Sequence, residues 1–385
     1  MTSQTPVSST RAHFIQLARS TAHNLHWVMT ALLFVGLIPA FRAAKLPLQI
    51  NWTFFLVSYW IGLTSSSIFA ATLLYLLISP VRGNLRSVYE HWRAQPVRLV
   101  FLALFEVVLI RELGWRFGLM LAVDLIVLTE LFDRLHGDTD KLLLAAKSVF
   151  IPAAYLFGGV VLVFCYNDLI ASVRYYGSFD AFFNKLDSIL FFGLSDSRLV
   201  HRALHRLPLA AFQAFEIFYY GMFAQIGAAF IMTALAFGKK RALELAGTLL
   251  TAYYISLTIF FIWPSVGPFF FCPVHFTDFP KTLATYEFHR VYFEKAHALW
   301  AHLPTSPVSS DFFIAFPSMH IAQPLIVLWF LRKWKRIAAV LIAYDIVLLA
   351  AIILLEWHYM VDLLGGALVA AVAIAMVHSG EGEVQ

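Results

Sequence analysis

An all-α, polytopic membrane protein is the fold class this sequence predicts, on three observations. Of its 385 residues, 60% are hydrophobic and only 13% are charged, against roughly 25% charged in soluble domains. The mean hydropathy is +0.75. Apolar runs near the ~20 residues that cross a bilayer recur along the whole length. The net charge of +5 fits basic loops that set orientation better than a nucleic-acid surface. Cys165 and Cys272 give neither a disulfide framework nor a zinc spacing.

The spans follow in order. Residues 1–23 are polar, carry Arg11 and Arg19, and suit the membrane surface. The run from Trp27 to Ala40 has the length of a signal-peptide core, but the many apolar segments behind it point to a retained helix. Spans are expected at 24–43, 53–79, 147–172, 207–238, 243–263, 316–333, 337–355 and 358–378. The stretch 97–133 is interrupted by Arg111, Glu112, Trp115 and Arg116. It forms either a short hairpin or a surface helix followed by one span; a hairpin gives the favoured count of ten spans, and a stretch that does not cross gives eight. The chain thus divides into a polar segment 1–23, an N-terminal transmembrane region 24–146, a transmembrane core 147–378 and a polar tail 379–385. Lys239-Lys240-Arg241 and the RKWKR cluster at 332–336 are dense basic loops and belong in the cytoplasm. Counting from them, 264–315 and His358 lie on the opposite, periplasmic or lumenal face, and the C-terminus is cytoplasmic.

Chemistry concentrates in two stretches. EWHYMVDLLGG (356–366) opens an apolar helix with His358 and Asp362, four residues apart and so on one face. Ionisable groups at such depth are costly and usually functional. The same spacing in His136 and Asp140 falls in a polar linker and carries no weight. AFPSMHIAQP (315–324) supplies the company. Pro317 suits a first helical turn, Ser318 and the free N–H groups beside it make an anion site, His320 stands in that turn, and Pro324 removes the bond to the His320 carbonyl. The helical hairpin between the stretches brings His320 and His358 to the same side of the membrane.

Two histidines, an aspartate and a helix N-terminus suit phosphoryl transfer. One imidazole attacks phosphorus and splits the displacement into two steps. Asp362 is placed to accept from its other nitrogen and fix the tautomer. The second imidazole protonates the departing oxygen and then serves as base. The scheme needs neither metal nor cofactor.

PSMH followed by HYMVD resembles the paired motifs of the PAP2 (type 2 phosphatidic acid phosphatase) superfamily. FPSMH with HYMVDLLGG, KLDSILFFG (185–193) and EIFYYG (216–221) are similar to its inositol phosphorylceramide synthase branch. The resemblance spans about 147–378 and implies a six-helix core preceded by two to four extra transmembrane helices. It implies His358 as nucleophile, Asp362 as its orienter and His320 as general acid, with Asp187 at a family position. It also implies the substrates: a phospholipid donor and a lipid hydroxyl acceptor, exchanged through a phosphohistidine.

Departures from the family pattern matter. WPSVGPFFFCP (263–273) lacks the basic residues of the phosphatases, and Ala351 and Ile352 stand where those enzymes have Ser-Arg. Replacement cations are expected among Arg290, Lys295, Lys281, Lys185 and Arg174, with Ser318, Arg290, Lys295 and Asp187 taken as substrate-binding. Their loss fits transfer from a phosphodiester better than binding of a fully charged monoester. The alternatives are a lipid phosphate phosphatase with water as acceptor, a haem protein with His320 and His358 as axial ligands, and a silent transporter or scaffold. Gly365 and Gly366 read as helix-packing residues, Trp263 and Phe269–Phe271 as interfacial anchors, and Tyr219 and Tyr220 as packing residues. Glu106, Asp124 and Glu130 are expected to pair with Arg111 or Arg116.

Overall fold

The computed structural model describes residues 7–52, 139–174, 179–193, 206–271, 280–301 and 314–378, with isolated positions between them. The spans expected at 53–79 and 97–133, with the charges in the latter, and His136 of the His136–Asp140 pair lie outside these segments. The described residues form helices and no β-strand. The protein is an integral membrane protein: among the described residues, five helices are long and apolar enough to cross a bilayer.

Helix α1 (Val7–Ala43) contains the first span, Asn24–Ala43. Helix α2 (Thr139–Val173) contains the second, Lys147–Val173. A short helix α3 (Asp180–Leu190) follows. Helix α4 (Leu209–Ile262) has 54 residues, about 80 Å of rise and far more than one bilayer core of ~30 Å. It is two crossings joined at Gly238, whose φ of 79° and ψ of −179° break the helix. Only glycine takes that conformation without a Cβ penalty, and the basic Lys239-Lys240-Arg241 follows at once. The turn α5 (Pro268–Phe271) leads toward α6 (Ala284–Trp300). The chain ends with α7 (Met319–Leu331), α8 (Lys335–Leu354) and α9 (Met360–His378).

Helix α4 is the hub, packed against α1, α2, α7, α8 and α9. Its core is built with small residues, Ala228, Ala229, Ala242, Ala246 and Ala252, facing Ala322 of α7 and Ala370 and Ala373 of α9. Small side chains let helices approach closely where water supplies no driving force between them. At Gly247 of α4 an added Cβ would lie 2.2 Å from His26 Nε2, so α1 seats its histidine there. Helix α9 separates its faces at helical spacing: Leu364 and Leu368 are exposed and Val369, Ala370, Ala373 and Val377 are buried. In a bilayer the exposed stripe meets lipid.

The tightest approach near the chemistry is at Gly366, where a Cβ would lie 2.2 Å from the Ser318 carbonyl oxygen. Backbone cannot yield as a side-chain tip can, so Gly366→Ala is expected to destabilise by about 1–3 kcal/mol. The measurement is thermal unfolding in detergent. Gly158→Ala, whose Cβ meets open space, is the control and should leave the midpoint unchanged.

Candidate active site

The site forms where α7 and α9 begin and α8 ends. Helix α8 closes with Trp357 N–H donating to the Ile352 carbonyl (3.2 Å) and Glu356 N–H to that of Ile353 (3.0 Å). This is a Schellman closure, with Glu356 at φ 59° in the left-handed position that glycine usually fills. The chain turns back, and His358 lies in the turn ahead of α9. The helix itself starts at Met360, two residues later than the sequence suggests, because Tyr359 serves as its cap. Asp362 reaches back to accept the Tyr359 N–H at 2.9 Å, as the third residue of a capping box does.

Asp187 of α3 satisfies the next donors. Its Oδ2 accepts the Met360 N–H and its Oδ1 the Val361 N–H, each at 2.8 Å. A carboxylate from another helix thus occupies the positive end of α9. Asp180, Phe183 and Asp187 are the buried residues of α3, at i, i+3 and i+7 on one face. Asp180 Oδ1 accepts from the Ser265 hydroxyl (2.9 Å), the Gly267 N–H (2.9 Å) and the Tyr359 hydroxyl (3.0 Å); the Val266 N–H lies 3.2 Å from both oxygens. Burial pushes this carboxyl above the usual carboxylate range, and the four donors oppose that shift.

Helix α7 begins at Met319 with Ser318 as its cap residue. Pro317 therefore precedes the cap rather than filling the first turn, because the Ser318 N–H turns to the Asp362 carbonyl at 3.0 Å. The helix runs on through Pro324. Ser318 is fully buried, and among the described residues its hydroxyl has no hydrogen-bond partner.

His358 Nδ1 lies 2.7 Å from the Ala315 carbonyl and 3.3 Å from Asp362 Oδ2. Both partners only accept, so Nδ1 carries the proton and Nε2 keeps its lone pair. Nε2 faces His320 Nδ1 at 3.2 Å. The His320 ring stacks on Tyr219 at 4.3 Å, and Tyr219 stacks on Trp357 at 5.1 Å and 7°. Tyr219 thus packs against the site itself. His289 of α6 stands edge-on to Trp357 at 4.3 Å, and burial holds its pKa well below the ordinary histidine value.

The expected cations are placed elsewhere in charge terms. Arg290 is partly exposed and donates to Glu287 and Glu294, each at 2.5 Å. Lys295 is buried in an ion pair with Asp168 at 2.9 Å. Lys281 and Lys185 are exposed, and Arg174 reaches the Ile262 carbonyl. Ala351 and Ile352 are fully buried among Phe212, Tyr219 and Leu348, so apolar packing fills the positions where a Ser-Arg pair was sought. Asp180 lies outside every marked stretch, and the Ala315 carbonyl belongs to the 315–324 stretch without a role assigned to it. The i, i+3, i+7 spacing of Asp180, Phe183 and Asp187 was the available signal for the first.

Fold and site together define a helical integral membrane protein with a histidine pair, one member oriented by an aspartate, at the end of its bundle. Residues 185–376 match the family model of the PAP2 superfamily. The matched stretch holds Asp187, Ser318, His320, His358 and Asp362; Asp180 lies five residues ahead of it. No curated protein and no solved structure is significantly similar to the chain.

Glu356 gives a pH prediction. Burial pushes its carboxyl up to about 8, and Oε2 has no hydrogen-bond partner among the described residues. The folded protein then holds a proton that the unfolded chain releases near pH 4.3. Its stability falls as pH rises through the interval between those values, on the order of a few kcal/mol in all. Glu356→Gln should abolish that part of the fall. Thermal unfolding at pH 5 and pH 8.5 measures it: the variant should gain on wild type only at the higher pH.

Proposed function

We propose that the protein is a lipid phosphotransferase of the inositol phosphorylceramide synthase type, working through a phosphohistidine. His358 Nε2 attacks the phosphorus of a phospholipid, an N–P bond forms, and the P–O bond to the diacylglycerol breaks. His320, as imidazolium, gives the departing oxygen its proton. The headgroup phosphoryl then passes to a lipid hydroxyl whose proton returns to His320, and the N–P bond breaks. Asp362 and the Ala315 carbonyl keep the attacking nitrogen unprotonated. Ser318 and the first N–H groups of α7 receive the phosphoryl oxygens, since those N–H groups have no acceptor within the helix.

The observation that carries this reading is the lone pair of His358 Nε2 facing His320 3.2 Å away, with Nδ1 fixed behind it. The choice of transfer over phosphatase action rests on charge. Arg290 and Lys295 are each neutralised by carboxylates, so neither is assigned to phosphate, and a diester with one negative charge suits the site better than a dianionic monoester. Asp187 is assigned to positioning α9 rather than to substrate. Helix α7 also supports a lipid substrate. With 13 residues it rises about 20 Å, some 10 Å less than the bilayer core. If its basic end lies at the cytoplasmic interface, its N-terminus sits within the periplasmic or lumenal leaflet, near headgroup depth.

The test uses purified protein in nanodiscs with labelled phospholipids and hydroxyl lipids. Wild type should build a new phospholipid, and His358→Ala should lose at least about a thousandfold in rate. Asp362→Asn should lose about a hundredfold or more. Phosphate release from monoesters without headgroup exchange would assign the phosphatase instead, and undiminished product from His358→Ala would sink both readings.

A further inference from the structure

We propose that Asp180 is a positioning residue that fixes the tautomer and heading of His358. The inference deepens the transferase reading and rests on it for its kinetic part. Asp180 is fully buried and reaches the peptide around His358 by three routes. The first runs through the Ser265–Gly267 loop. Asp180 holds the Ser265 hydroxyl and the Val266 and Gly267 N–H groups; the Ser265 carbonyl accepts the Ala315 N–H at 2.9 Å; and the Ala315 carbonyl accepts His358 Nδ1–H at 2.7 Å. The second is direct: the hydroxyl of Tyr359, the residue after His358, donates to Asp180 at 3.0 Å. The third is steric. Gly267 has φ 105°, and a Cβ there would lie 2.9 Å from the carbonyl oxygen of Trp357, the residue before His358.

The arrangement demands a carboxylate. Four donors converge on a group that must only accept, and an amide of the same size would turn its NH2 toward at least one of them. Its NH2 would then face the Val266 N–H, which lies 3.2 Å from both oxygens, and the loop would shift to relieve that opposition of two donors. The Ala315 carbonyl moves with the loop. His358 then loses its nearest acceptor and populates the tautomer with the proton on Nε2, which cannot attack phosphorus.

The experiment compares full-length wild type, Asp180→Asn and Ser265→Ala in nanodiscs with 15N-labelled histidine, the His358 signals being assigned by difference from His358→Ala. In wild type His358 should show Nδ1 protonated and Nε2 bare. Asp180→Asn should show a mixture of tautomers, and phosphohistidine formation should slow by about tenfold or more with the KM for donor lipid unchanged. Ser265→Ala, which removes one donor and keeps the carboxylate, should shift both readouts in the same direction by less. A wild-type tautomer in Asp180→Asn overturns the proposal. If that variant does not fold, a wild-type tautomer and rate in Ser265→Ala overturn it. If wild type forms no phosphohistidine, the transferase reading fails, and the tautomer comparison still decides the part played by Asp180.

Discussion

The hydrogen bond from His358 Nδ1–H to the Ala315 carbonyl, 2.7 Å long, is the constraint on which the site depends. A neutral imidazole has one proton for two nitrogens, and only the bare one can attack phosphorus or accept a proton. A carbonyl settles the choice for the neutral ring, because it has no proton to lose or gain. Asp362 at 3.3 Å adds charge to that orientation and also holds the Tyr359 N–H, so the acid that steadies the ring also starts the helix behind it. The carbonyl comes from the strand of chain leading into α7, while the histidine comes from the turn leading into α9. Site geometry therefore rests on how closely those two segments lie, which explains why Gly366 touches Ser318 with no room for a side chain.

Helix N-termini set the electrostatics around this pair. Each presents N–H groups without intrahelical acceptors and a positive dipole end. Asp187 and Asp362 fill that need at α9. Glu216 does so at α6, where it accepts the Thr285 N–H at 2.6 Å. At α7 the cap residue is Ser318, whose side chain makes no cap bond. Of the three, α7 is the end left open to an anion, and it carries His320 in its first turn. An acid at the α7 cap would repel a phosphoryl group; acids at the other two leave the attraction focused at one place.

How much of this the sequence revealed follows from the range of each interaction. The spans among the described residues were legible because a bilayer imposes length and apolarity on consecutive residues, and the break at Gly238 sits against the basic loop that marked it. The His358–Asp362 and Pro317–His320 stretches were legible because their residues are neighbours on single helix starts. The role of Asp187 was not, since the donors it satisfies are backbone groups 173 and 174 residues away. Asp180 meets its partners at separations of 85 to 179 residues, and the Ala315 carbonyl has no residue-type signature at all. Arg290 shows the opposite case. Glu287 and Glu294 stand at i−3 and i+4 from it, a spacing that pairs charges on a helix, so its neutralisation was readable before any tertiary structure.

The 3.2 Å approach of the two imidazoles has a mechanical consequence. An attacking nitrogen needs phosphorus about 3–3.5 Å away, and the proton donor must lie a further 2.6–3.2 Å beyond the departing oxygen. The two nitrogens must therefore stand roughly 6 Å or more apart when a phosphoryl group lies between them. His358 is held by Ala315 and Asp362 and by the turn it sits in, so in the proposed reaction His320 would be the ring that yields. Its chief neighbour suits that movement. Tyr219 meets it face to face at 4.3 Å and 23°, and stacked rings are held by dispersion and weak quadrupole forces that permit sliding at little cost. A hydrogen-bonded acid would have pinned it. The site thus combines one histidine fixed by directional bonds with one kept in place by a surface along which it can slide, an arrangement that would suit the nucleophile and the acid of the proposed transferase.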